Sequence, residues 1–157
     1  MKVQVIEEAT GAIVVRVPSQ VKIKRLMAVG MTEDEALAVW REQSTSPDRG
    51  PVRTEIDHTE LPEGHEHFKP ARRWSGLAVV VDMPTARAIH MGRIRQARDE
   101  KLAALDTETI KALGANDDVR VAEVEAEKQT LRDIPQTFDL TGARTAVELA
   151  ALWPRGL

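Results

Sequence analysis

Cysteine is absent from the 157 residues, which removes disulfides, thiolate nucleophiles and Cys-based zinc sites together. Tyrosine is absent as well, and Trp40, Trp74, Trp153, Phe68 and Phe138 are the whole stock of large rings, so the core must be aliphatic and thin. No apolar run approaches the roughly 20 residues that a membrane-spanning helix needs. The opening Met1-Lys2-Val3-Gln4-Val5-Ile6 lacks the apolar stretch and small-residue cleavage site of a signal peptide. Neither sign of charge dominates: 22 Lys and Arg are interleaved with 25 Asp and Glu for a net −3, which leaves no cationic stripe to neutralise a phosphate backbone. Neither a nucleic-acid nor a membrane partner is expected, and the chain is expected in the cytoplasm or in something assembled there.

What is present divides into two kinds of sequence. Val3 and Val5, then Ile13, Val15 and Val17, alternate with polar neighbours around a Glu7-Glu8-Ala9-Thr10-Gly11 turn signal, the pattern of a β-hairpin. Ser19 is placed to cap a short helix that stops at Gly30. Thr32 and Glu35 have capping-box spacing for a helix over 34–43 that buries Ala36, Leu37 and Trp40. Ser44-Thr45-Ser46-Pro47-Asp48-Arg49-Gly50-Pro51 reads as a loop, followed by a strand at Val52, Thr54 and Ile56. Residues 57–75 read as an irregular connection. Leu77-Ala78-Val79-Val80-Val81 is the strongest strand signal, and five consecutive apolar residues imply a strand covered on both faces.

From Asp82 onward the pattern is helical. Asp82 is positioned to cap a helix starting at Pro84 and running to about Leu113, with Met91, Ile94, Leu102, Leu105 and Ile110 on one stripe. Gly114-Ala115-Asn116 turns the chain into a second helix that carries Val121, Val124, Leu131 and Ile134 and is expected to end at Pro135. The pair predicts an antiparallel hairpin. Thr145 and Glu148 form another capping box for a last short helix closed by Pro154. The expected fold class is therefore α+β: a small β-rich module with short capped helices over 1–81, then a helical module over 82–157 with a hairpin at about 84–134 and a short helix at about 145–152.

Residues with chemical potential are few. His65-Glu66-His67 and His58 have metal-ligand residue types; if 65–67 were extended, two imidazoles would share a face, with His58 or Glu60 as a third ligand. In a Gly- and Pro-rich segment, however, the same histidines read first as solvent-facing loop residues, so no metal is expected. Glu7-Glu8 and Asp117-Asp118 are sequence neighbours that diverge in space, and read as a turn and a helix N-terminus. Arg95 and Asp99 stand at i, i+4 as an attractive pair, whereas Lys128 and Arg132 repel unless an acid lies across the hairpin. His90 reads as a half-buried structural histidine. Neither a catalytic residue nor a cofactor is expected, and the chain reads as a non-enzyme. Trp74 and Trp153 stand near chain punctuation, where rings serve as interface anchors as well as core pieces; with Leu131 they are the interface candidates.

Arg98-Asp99-Glu100-Lys101-Leu102, Leu105-Asp106, Lys128-Gln129-Thr130-Leu131-Arg132-Asp133-Ile134-Pro135 and Leu152-Trp153-Pro154 form an ordered series. It resembles the C-terminal module of small tail-gene proteins of tailed bacteriophages, the phage tail assembly chaperone family. Leu61-Pro62, Phe68, Trp74 and Val79-Val80-Val81-Asp82 are similar to a segment preceding that module in proteins encoded near tail fibre genes. The resemblance covers residues 60–157 and leaves 1–59 without a counterpart. It implies a tail structural or interaction protein near the tail fibre or tail tip, located in the virion and assembled in the host bacterial cytoplasm, whose partners are other tail proteins and further copies of itself. A non-virion tail assembly chaperone is the alternative, and a small metal-binding domain built on His58, His65 and His67 is a second one.

Overall fold

The computed structural model describes residues 1–43 and 52–157; the loop read over Ser44–Pro51 lies outside them. The fold is α+β, and the chain divides into two compact units, Met1–Asp82 and Met83–Leu157.

In the first unit, β1 (Lys2–Glu7) lies between β2 (Ile13–Arg16) and β3 (Val52–Asp57), antiparallel to both. The hairpin register pairs Val5 with Val15 and Glu7 with Ile13. Gly11 closes the turn at φ 76, donating its N–H to the Glu8 carbonyl at 2.8 Å, and only glycine takes that backbone angle freely. Being central, β1 is buried on both faces. Val3 and Val5 pack with Ile13, Ile56, Leu61 and Val79, with Trp74 and Val15 against them; burying each aliphatic side chain fully contributes about 1.5–3 kcal/mol. On the opposite face Gln4 Nε2 donates to Glu55, which also receives Arg41 Nε at 2.9 Å. The guanidinium of Arg41 holds the Glu55 carboxyl below its usual range.

The helices α1 (Gln20–Ala28) and α2 (Glu33–Glu42) follow their predicted caps. Ser19 Oγ accepts from Lys22 N–H, and both arms of the Thr32–Glu35 capping box are formed. They enclose a small core of Ile23, Ala36 and Trp40, with Leu26 and Leu37 beside it.

Two expectations fail between 57 and 81. The connection is not wholly irregular: single 3-10 turns occupy His58–Glu60 and Lys69–Ala71, and β4 (Arg72–Trp74) follows. The apolar run does not become a strand covered on both faces. Ser75 Oγ accepts from the amides of Leu77 and Ala78, Gly76 turns at φ 97, and only Val79–Val81 forms β5, paired with β4 alone. A two-stranded ribbon packs one face, so Val79 is buried while Val80 is 40% and Leu77 91% exposed.

In the second unit, α3 (Met83–Gly114) and α4 (Asp118–Thr137) form the hairpin, and α5 (Ala146–Ala151) packs on α3. The turn between the long helices places Asn116 at φ 56, and Asp117 caps α4 by accepting from Arg120 N–H at 3.0 Å. Pro135 does not end α4. It removes one amide from the ladder, but the turn resumes when Phe138 N–H donates to the Ile134 carbonyl at 2.8 Å.

Candidate interaction surface

The inward stripe of α4 is Val124, Lys128, Leu131 and Ile134, at helical spacing and all buried. Leu131 lines a groove of about 440 Å³ together with Ala104, Leu105 and Ile134, and Lys101 and Arg155 stand beside them. The Lys101 ammonium donates to the Gly156 carbonyl, tying the residues after α5 to the middle of α3. The groove also takes Glu127 and Thr130 into its lining, so its apolar floor is edged by one acid and by two cations where the C-terminal segment crosses it.

Trp153 is held differently. His90, 2% exposed, donates its Nε2–H to the Leu152 carbonyl at 2.6 Å, which sets the tautomer, since a carbonyl oxygen only accepts. The imidazole meets the Trp153 ring edge to face, with centroids 5.6 Å apart and planes at 74°. His90 is therefore fully rather than half-buried, and it holds the segment that presents Trp153. With one side of its ring fixed, Trp153 remains 41% exposed. Arg87 fastens the approach to this segment by donating to the carbonyls of Leu140 and Ala143. The Thr145–Glu148 capping box is complete, so α5 starts where its sequence says. Trp74 is half-buried against the strand core.

The predicted stripe on α3 is only partly right. Ile94 is fully buried and Leu102 and Leu105 are half-buried, but Ile110 is 70% exposed. The residues that turn inward are Ala86, His90, Ile94 and Ala112. Ile110, Leu113 and Val119 flank the hairpin turn with their side chains in solvent. Ile110 falls off the stripe because it stands five residues after Leu105, a step that turns it about 140° around the helix. The Arg95–Asp99 pair does not form as expected; Asp99 is engaged by Arg98 at 2.7 Å.

The histidines do not assemble into a ligand set. Residues 65–67 lie in turns rather than an extended segment, so alternate side chains have no common face. The His58 and His65 rings meet at 6.4 Å edge to face, and His65 and His67 each stand 3.7 Å from the Glu66 carboxylate that lies between them in sequence. Burial pushes the His65 imidazole below its ordinary range, with Arg72 adding to the shift and Glu66 opposing it. Among the described residues no group of three or more His, Cys, Asp or Glu is placed to hold a metal ion.

Among the described residues no helix is long and apolar enough to cross a membrane. Comparisons with protein-family models, with curated proteins and with solved structures find no match to this chain.

Proposed function

We propose that this protein is a structural interaction component of a bacteriophage tail, placed near the tail fibre or tail tip, and that it works by protein–protein contact through its helical unit. The observation that carries the reading is the fixed, part-exposed ring of Trp153. A large aromatic side chain already immobilised by His90 and the Leu152 hydrogen bond loses little conformational freedom on docking, and aromatic residues of this kind dominate interface energetics. The ordered motifs from Arg98 to Pro154, which resemble tail-gene proteins, set the class of partner: other tail proteins and further copies of this chain. The exposed Ile110, Leu113 and Val119 give the other end of the same hairpin apolar surface for such neighbours.

The reading is tested by co-expressing the chain with the tail-fibre and tail-tip proteins of the same genome, then measuring masses by size exclusion with light scattering. Co-elution with one of them, lost in Trp153→Ala, is the expected result. A monomer that elutes apart from every one of them removes the reading.

The second reading is a tail assembly chaperone that leaves before the particle is complete. The family resemblance favours it by name, and both readings use the same contact surface.

A further inference from the structure

Arg72 opens β4 and is only 5% exposed. Its Nε is buried without a hydrogen-bond partner, and no carboxylate of the described residues stands within 4 Å of its guanidinium; Glu66 acts on it only at longer range. Desolvating a cation with no carboxylate in contact is costly. Beside it, the buried Nδ1 of His65 also lacks a partner. The Arg72 guanidinium, with no carboxylate in contact, keeps its charge for an anion from outside the chain.

Both residues line one cavity of about 550 Å³ in the first unit, within the range of roughly 300–1,000 Å³ typical of small-molecule sites. Its aliphatic lining comes from Ile13, Val15 and Leu61, and its cations are Arg72 and Lys69. Glu8 is the acidic residue in the lining. Lys69 and Arg72 against Glu8 leave the lining one net positive charge, its histidines His58 and His65 aside.

We propose that this cavity is a binding site for a small organic monocarboxylate, its oxyanion between the Arg72 guanidinium and the Lys69 ammonium, its aliphatic body against Ile13, Val15 and Leu61. The planar guanidinium fork matches a carboxylate in two-point contact. The single net charge and the apolar wall favour a monoanion with a hydrocarbon stem over inorganic phosphate. A carboxylate of this chemistry is supplied either by a free small molecule or by the C-terminus of a protein chain. The inference stands apart from the tail reading, since the site lies in Met1–Asp82 and its test involves no tail protein.

The experiment is a titration of the ¹⁵N-labelled full chain with sodium isobutyrate at constant ionic strength, read at the backbone amide resonances of Ile13, Val15 and Leu61, which the wild type and its variants share. A parallel arm uses inorganic phosphate. A further pair of arms uses a short peptide ending in a valine carboxylate and the same peptide amidated. Expected are a saturable one-site shift with isobutyrate, a weaker response to phosphate, and an affinity loss of about tenfold or more in Arg72→Met, the scale of a lost charge-assisted hydrogen bond. Tighter binding of the acid peptide than of isobutyrate assigns the source to a protein terminus; isobutyrate binding without peptide binding assigns it to a free molecule. The absence of a saturable shift with isobutyrate and peptide alike overturns the proposal, as does phosphate binding as tightly as isobutyrate. Should Arg72→Met fail to fold, Lys69→Ala at the exposed edge decides: several-fold weaker binding supports the site, unchanged binding overturns it.

Discussion

The ammonium of Lys128 stands 2.8 Å from the Oδ1 of Asp106 and joins α4 to α3 from a side chain only 5% exposed. It donates as well to Thr109 Oγ1 at 2.7 Å and to Glu125 at 2.8 Å. Glu125 lies 3.9 Å from Arg132, so the two cations that would repel one another on α4 share the Glu125 carboxylate. A cation inside the hairpin is tolerable because its three donors all find oxygen.

The Asp106 and Glu125 contacts hold the Lys128 ammonium above the usual lysine range. A raised folded-state value stabilises the hairpin fully below the unfolded lysine value of about 10.4, and this contribution disappears as pH rises through the folded one. Thermal unfolding of the wild type should therefore show a downturn in midpoint above about pH 10.4 that is shallower in Lys128→Met. Met conserves most of the volume, and the carboxylates left without the cation, Asp106 and Glu125, are exposed enough to stay solvated, so the variant folds at neutral pH. Identical alkaline limbs in the two proteins would show that the pair is not formed in solution.

His65 gives the opposite pH dependence. Its folded value is depressed by burial, so the first unit is most stable above the unfolded histidine value of about 6.5 and loses stability as pH falls from there through the folded value. His65→Gln should flatten this acid limb in unfolding midpoints taken between about pH 7.5 and pH 5. An unchanged limb would assign the acid sensitivity to other groups.

Ile94 and Ile110 distinguish the two faces of α3. Ile94 is fully buried, so Ile94→Ala should cost about 2–5 kcal/mol in denaturant unfolding. Ile110 is 70% exposed, and Ile110→Ala should change stability by no more than about 0.5 kcal/mol. Comparable losses at both positions would mean that the hairpin turn is covered, by packing or by another copy.

Thr145→Ala removes one arm of the last capping box, in which Thr145 Oγ1 accepts from Glu148 N–H at 3.1 Å. The expected cost is about 1 kcal/mol. Because α5 leads directly into Leu152 and Trp153, amide exchange should accelerate from Ala146 to Trp153, and association measured at Trp153 should weaken with it. Unchanged exchange in α5 would show that Leu149, fully buried, fixes the helix without its cap.

The elements legible in sequence are those whose signals are local. Thr32–Glu35 and Thr145–Glu148 announce their helices because a cap and its acid are three residues apart, and Val5 opposite Val15 follows from one short turn. What was not legible depends on distant neighbours. Leu77–Val81 looks like a strand buried on both faces, and only the β4 pairing and the Ser75 turn reveal a ribbon with one covered face. Pro135 carries a strong stop signal, yet the helix on either side outweighs one missing amide. At the candidate surface, Trp153 was visible as an unusual ring and its support by His90 was not, since 62 residues separate His90 from Leu152. Arg72 carried no sequence signal at all: in a chain this charged, burial alone distinguishes it from its neighbour Arg73.

The central claim is tested most directly by quantitative mass spectrometry of purified phage particles produced from a genome carrying this gene, with wild-type chain and with Trp153→Ala. The account predicts the wild-type chain at a fixed ratio to the other tail proteins, and the variant depleted from particles while still present in the cell lysate. Particles that are complete and infective but hold no stoichiometric copy of the wild-type chain would contradict it.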